Sequence, residues 1–127
     1  MNEREHGPIA SCEITLRSGA TRRFYFQDNP LAKRVSGEIL NGQVYKFPAL
    51  FEHRVIVDIG ANVGAFTLMA HSLFPQARVY AYEPDPEAFA LLERNTEGLG
   101  DNVAIWQQAL ADHTGATVLY PGQKDSC

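Results

Sequence analysis

Cysteine is scarce in this chain: there are two in 127 residues, Cys12 and Cys127, near opposite ends. That spacing excludes a disulfide framework and a paired metal knuckle, and it fits a reduced, cytoplasmic setting. Basic charge is also short, with 11 Lys+Arg against 15 Asp+Glu and a formal net charge of -4. Nucleic-acid binders generally carry a basic surplus, so no nucleic-acid partner is expected and small-molecule ligands are favoured. Long apolar runs are missing too. No stretch approaches the roughly 18 apolar residues of a membrane span, and the charges of "MNEREHGPIA" have no apolar run behind them, as a signal peptide would. A membrane partner is therefore not expected. Internal repeats and low-complexity tracts are absent.

What is present is a chain 45% hydrophobic and 20% charged, in the range of one soluble globular domain with a sizeable core. Two parts are expected within it. Residues 1–50 read as an amino-terminal extension of hairpin and helix, and residues 51–127 as a partial Rossmann-like unit. In the first, Cys12 to Arg17 alternates in the period of a half-buried strand, Ser18-Gly19 supplies a turn, and Arg22 to Gln27 resumes the strand signal, so 12–27 reads as a β-hairpin. "DNPLAKRVSGEILNG" follows with a helix signature: Asp28 or Asn29 as N-cap, Pro30 in the first turn, Leu31, Val35 and Ile39 four apart, and Gly42 after the end.

In the second part, Val55, Ile56 and Val57 form the continuous β-branched run expected of a strand buried on both faces of a parallel sheet. A helix runs from Gly64 to about Leu73, with Phe66, Leu68, Met69 and Leu73 as its candidate buried side. The plan then repeats. Arg78 to Tyr82 is a strand, Asp85 an N-cap, Pro86 the first helical position, and Phe89, Leu91 and Leu92 face inward. Val103 to Gln107 is a third strand, Asp112 to Gly115 a turn, and Ala116 to Tyr120 a further strand. Two successive strand-helix units and a third strand imply an α/β fold with a parallel, Rossmann-like sheet and right-handed crossovers.

The first strand-to-helix turn, "DIGANVG", is the candidate site. A glycine directly after a strand lets the backbone bend sharply and approach a ligand, and Gly60 occupies that place. Gly64 then opens a helix whose free amide groups favour an anionic ligand group. Glu83, at the carboxyl end of the second strand, stands where a Rossmann plan puts the acid that accepts hydrogen bonds from ribose hydroxyls. Glycine turn and acidic strand end together argue for a nucleoside ligand. A dinucleotide site wants G-x-G-x-x-G, and in that register Asn62 and Ala65 replace two of its three glycines, which disfavours a dehydrogenase. Asp58, two residues before Gly60, attracts an ammonium group and repels phosphate. S-adenosylmethionine supplies an ammonium, a carboxylate and a ribose, and no phosphate.

The strings "VDIGANVGAFTLMA", "VYAYEPDPEAFALLERN" and "NVAIWQQALADHTG" resemble the opening half of the FkbM family of S-adenosylmethionine-dependent methyltransferases, over about Val35 to Tyr120. The combination of D-I-G-A-N-x-G with E-P-D-P carries the resemblance. It implies a class I methyltransferase-type sheet, S-adenosylmethionine as cofactor, and a small-molecule methyl acceptor such as a sugar or natural-product hydroxyl. By the same resemblance, Asp58, Gly60, Asn62 and Gly64 line the methionine part of the cofactor and Glu83 holds the ribose. Gln108 lies near the adenine, where related methyltransferases often carry an acid.

Other residues offer less. The four histidines are scattered without metal-ligand spacing, so no metal is expected. Trp106 and Phe24-Tyr25-Phe26 read as core, Arg22-Arg23 and Lys33-Arg34 as solvated faces. No serine sits in a nucleophile elbow, and no residue can be named as a catalytic base. The family's acidic K-I-D-x-E-G-like motif on the next parallel strand has no counterpart before Cys127. The strand at Val55 to Ile59, central in related folds, would then have one open edge, and the expected cover is a second copy in a homodimer or a complementary chain. Two functional classes follow: a methyltransferase, or the cofactor-binding part of one; alternatively a non-catalytic, truncated nucleoside-binding or assembly module.

Overall fold

A computed structural model describes residues 7–41, 55–112 and 115. Its first element pair is the expected hairpin, begun earlier than the alternation suggested: β1 (Ile9–Thr15) pairs antiparallel with β2 (Thr21–Gln27), from Ile9 opposite Gln27 to Thr15 opposite Thr21. In α1 (Pro30–Leu40) the cap is Asn29, whose Oδ1 accepts the Ala32 N–H at 2.8 Å, with Pro30 in the first turn as its fixed φ favours. The periodic stripe in α1 is covered only at its last member, Ile39, which packs on the core. Leu31 and Val35 are exposed and only Ser36 is buried, because α1 leans on α2 and β2 with a different face.

The second sheet is parallel, in the order β3-β4-β5, with β3 (Val55–Ile59), β4 (Arg78–Tyr82) and β5 (Val103–Trp106) joined through α2 (Ala65–Leu73) and α3 (Pro86–Thr96). This is the Rossmann-like arrangement expected. The register puts Ile56, Asp58, Val79, Ala81, Val103 and Ile105 on one face. That face packs against Phe66 and Ala70 of α2 and Phe89 and Leu92 of α3. The hairpin closes over the same helices, with Phe24 and Phe26 buried among Val63, Ala65, Leu68, Ala88 and Leu91. Phe24 and Phe26 are core, as their sequence context indicated.

Burial of β3 on both faces is not found. Val55, Val57 and Ile59 are 57%, 50% and 65% exposed, alternating with buried Ile56 and Asp58. The reason is topological: α2 and α3 both pack on the face of Ile56, Val79 and Ala81, as crossovers of one hand stepping the same way across a sheet dictate, and among the described residues no element covers the other face. On that open face Trp106, also expected in the core, is exposed and stacks on Tyr82 with ring centroids 5.1 Å apart. Arg22 departs from a solvated role as well, since its Nη2 donates to the Glu97 carbonyl at 2.8 Å. Among the described residues no helix is long and apolar enough to cross a membrane. Gly42, the connection before Val55, the strand expected at Ala116 to Tyr120, Cys127, and three of the histidines (His6, His53 and His113) lie outside the described residues.

Candidate functional site

At the carboxyl end of β3 the chain enters a turn whose alternate residues are left-handed: Gly60, Asn62 and Gly64 have φ of 73°, 52° and 96°. Asn is among the few residues with a Cβ that adopt this conformation readily. A Cβ placed on Gly60 would meet nothing within 4 Å, so the space over that peptide is open. At Gly64 a Cβ would lie 2.8 Å from Leu92 Cδ1 of α3, so here any side chain would be strained by the left-handed conformation and would also have to displace Leu92.

The turn is fastened to the end of β4. Gly60 and Ala61 N–H groups both donate to the Tyr82 carbonyl at 2.9 Å, and Gly64 N–H donates to the Ala61 carbonyl at 2.9 Å. Glu83, next along the chain, is 8% exposed. Its Oε1 accepts the Asn62 N–H and its Oε2 the Asp85 N–H, each at 2.8 Å. The carboxylate thus brackets the turn and the start of α3, where Asp85 caps the helix by accepting the Ala88 N–H at 3.0 Å. An ionised carboxylate offers about four lone-pair positions, so each oxygen can accept once more.

Asp58 is buried beneath the turn, with its Oδ2 accepting the Thr67 hydroxyl at 2.6 Å. Burial pushes its carboxyl pKa up from the ordinary 3.8, the Thr67 hydrogen bond pulls it partly back, and the charge of Glu83 raises it again. Among the described residues neither Asp58 nor Glu83 has a cationic partner. Two carboxylates thus lie beside open, left-handed backbone with no counter-ion among the described residues.

Of the six residues expected here, Asp58, Gly60, Asn62, Gly64 and Glu83 converge on this turn. Gln108 does not join their hydrogen-bond network: β5 ends at Trp106, and Gln108 is exposed two residues further on. Two residues that sequence reasoning passed over belong to the network. Thr67 and Asn95 are both fully buried polar side chains, and each stands on the apolar stripe of its helix, Thr67 beside Leu68 and Asn95 one turn after Leu91 and Leu92. A polar residue on such a stripe is the signal that would have found them.

The family model described as "Methyltransferase FkbM domain" matches residues 58–127, more than half of the chain. The chain belongs to the FkbM methyltransferase family. Among the relatives of this FkbM-family chain, the 31-O-demethyl-FK506 methyltransferase FkbM of Streptomyces tacrolimicus is 39% identical over 69 residues, which are 53% of this chain and 26% of that protein. Methyltransferase 1 of Beauveria bassiana is 35% identical over 81 residues, 61% and 32% of the two chains. The 2-O-methyltransferase NoeI of Sinorhizobium fredii is 34% identical over 71 residues, 56% and 29%. The match therefore spans about a quarter to a third of these curated relatives' length. In fold, the chain is similar to P. horikoshii TYW2, solved in complex with MeSAdo, with a TM-score of 0.50 at 19% identity over 83% of this chain and 38% of that one.

Proposed function

We propose that this chain is an S-adenosylmethionine-dependent methyltransferase, or the cofactor-binding part of one. One observation carries the reading: two buried carboxylates, Asp58 and Glu83, lie at the ends of adjacent parallel strands with no cation of their own among the described residues, next to exposed, glycine-opened backbone. A ligand that brings positive charge and hydroxyl donors, and no phosphate, complements that arrangement, and S-adenosylmethionine has this composition. When bound, it supplies an activated methyl group for transfer to an acceptor.

In this reading Asp58, Gly60, Asn62 and Gly64 hold the methionine part. Asp58 acts through charge from beneath the turn, Gly60 and Asn62 line the ligand where the turn is exposed, and Gly64, buried with its N–H on the Ala61 carbonyl and its carbonyl on the Leu68 N–H, keeps the turn in shape. Glu83 has the remaining acceptor capacity to take ribose hydroxyls while keeping the turn in place. Gln108, exposed beyond β5, would meet the adenine. The acceptor is a hydroxyl of a small molecule or sugar, a proposal supported by the O-methyl chemistry in the names of two relatives.

Calorimetric titration with S-adenosylhomocysteine tests the reading. Heat of binding is expected for the parent chain and its loss for Asp58→Ala and Glu83→Ala. No heat, with both variants indistinguishable from the parent, sinks the cofactor assignment. Binding without methyl transfer to any hydroxyl acceptor favours the cofactor-binding part over a complete enzyme.

A further inference from the structure

Asn95 is fully buried on α3, and every polar atom of its side chain is committed. Its Nδ2 donates to two carbonyls, Tyr25 at 2.8 Å and Val63 at 2.6 Å, and its Oδ1 accepts the Tyr25 N–H at 2.8 Å. Toward β2 the amide behaves as one more strand residue, exchanging both bonds with the Tyr25 backbone. Toward the site it holds the peptide between Val63 and Gly64. Glu83 grips the same turn one peptide pair earlier, through the Asn62 N–H.

The left-handed Asn62 and Gly64 need such fixing. Sparsely populated backbone conformations persist only where surrounding contacts over-determine them, and Gly64 has no side-chain cap for the helix it opens. The hairpin, which lies before the family-matched residues, is thereby joined to the turn through one side chain. Beside it, the Arg94 guanidinium lies 3.6 Å from the centre of the Tyr25 ring and holds the same strand from outside.

We infer that Asn95 is a positioning residue. It sets the peptide orientation of the 60–64 turn and makes the turn's affinity for its ligand depend on the amino-terminal hairpin. The inference deepens the cofactor reading and rests on it for the ligand, while its first readout needs no ligand.

The test is residue-resolved amide exchange of the free chain, followed by titration with S-adenosylhomocysteine. In the parent, the Tyr25, Asn62 and Gly64 amides are expected to open as one unit, with the same dependence on denaturant. In Asn95→Ala, exchange at Asn62 and Gly64 is expected to rise about tenfold or more relative to β4 amides, with a similar rise in the dissociation constant, as loss of buried hydrogen bonds implies. The control is Leu91→Ala, which removes apolar packing in the cluster that holds Val63, Phe24 and Phe26 but breaks no hydrogen bond to the turn; its effect on turn exchange relative to β4, and on affinity, is expected to be clearly smaller than that of Asn95→Ala. Unlinked opening of Tyr25 and the turn in the parent overturns the inference, even if Asn95→Ala does not fold. So does an Asn95→Ala effect on the turn no larger than that of Leu91→Ala. If the parent binds no S-adenosylhomocysteine, the cofactor reading fails and the exchange data still decide the role of Asn95.

Discussion

At the scale of the residue, Asp58 is held where a carboxylate is least comfortable: buried, near Glu83, and relieved chiefly by one hydroxyl. Its folded-state pKa lies above the ordinary 3.8. The stability associated with its proton is therefore fully present below pH 3.8 and lost as pH rises through the folded value, leaving a cost at neutral pH. Asp58→Asn removes that cost and keeps an oxygen to accept the Thr67 hydroxyl. The variant is expected to melt above the parent at pH 7, the gap closing as pH falls toward 3.8. Its affinity for S-adenosylhomocysteine should fall by about tenfold to a hundredfold, the scale of one charge-assisted contact. A lower melting temperature than the parent's at pH 7 would contradict this account. Asp58, Gly60, Asn62 and Glu83 were legible because strand ends and turn conformations are local chemistry. Thr67 and Asn95 were not, because their value lies in partners set by the fold: Asn95 meets Tyr25 across 70 positions of sequence.

At the scale of the element, the start of α2 and the middle of α3 approach as closely as a missing Cβ permits. Leu92, whose Cδ1 is the neighbour at 2.8 Å, is fully buried and would have to shift against its core neighbours. Gly64→Ala combines left-handed strain with overpacking and is expected to destabilise by roughly 2–4 kcal/mol, read as a lowered urea midpoint. A change below about 0.5 kcal/mol, the scale of ordinary surface substitutions, would show that α3 shifts freely. Helix starts were readable from composition, since Asn29-Pro30 and Asp85-Pro86 each combine a cap with a preset first turn. Which stripe of α1 would be covered was not readable. Leu31 and Val35 have helical spacing, but periodicity identifies a face without naming the neighbour that buries it.

At the scale of the whole molecule, the described residues finish one side of the sheet and leave the other uncovered. Val55, Val57 and Ile59 stand exposed along β3, an edge strand among the described residues, in line with Tyr80, Tyr82 and Trp106. The unbroken β-branched run suggested a strand covered on both sides, and only one side is supplied by the described elements. Apolar faces continuous with an unpaired strand edge favour association. We propose that a second copy covers this one when the chain is alone. Light scattering at micromolar concentration is expected to exceed the monomer mass, and Val57→Lys to restore the monomer. A monomeric parent would refute the proposal.

The tilt of one aromatic ring makes that last question visible without any label. Trp106 is the chain's single tryptophan, and it stacks on Tyr82 at the carboxyl end of the sheet's uncovered face rather than in the core. Its emission is therefore an optical gauge of what touches the sheet: red-shifted while the face is wet, blue-shifted once covered, and silent to events confined to the opposite side.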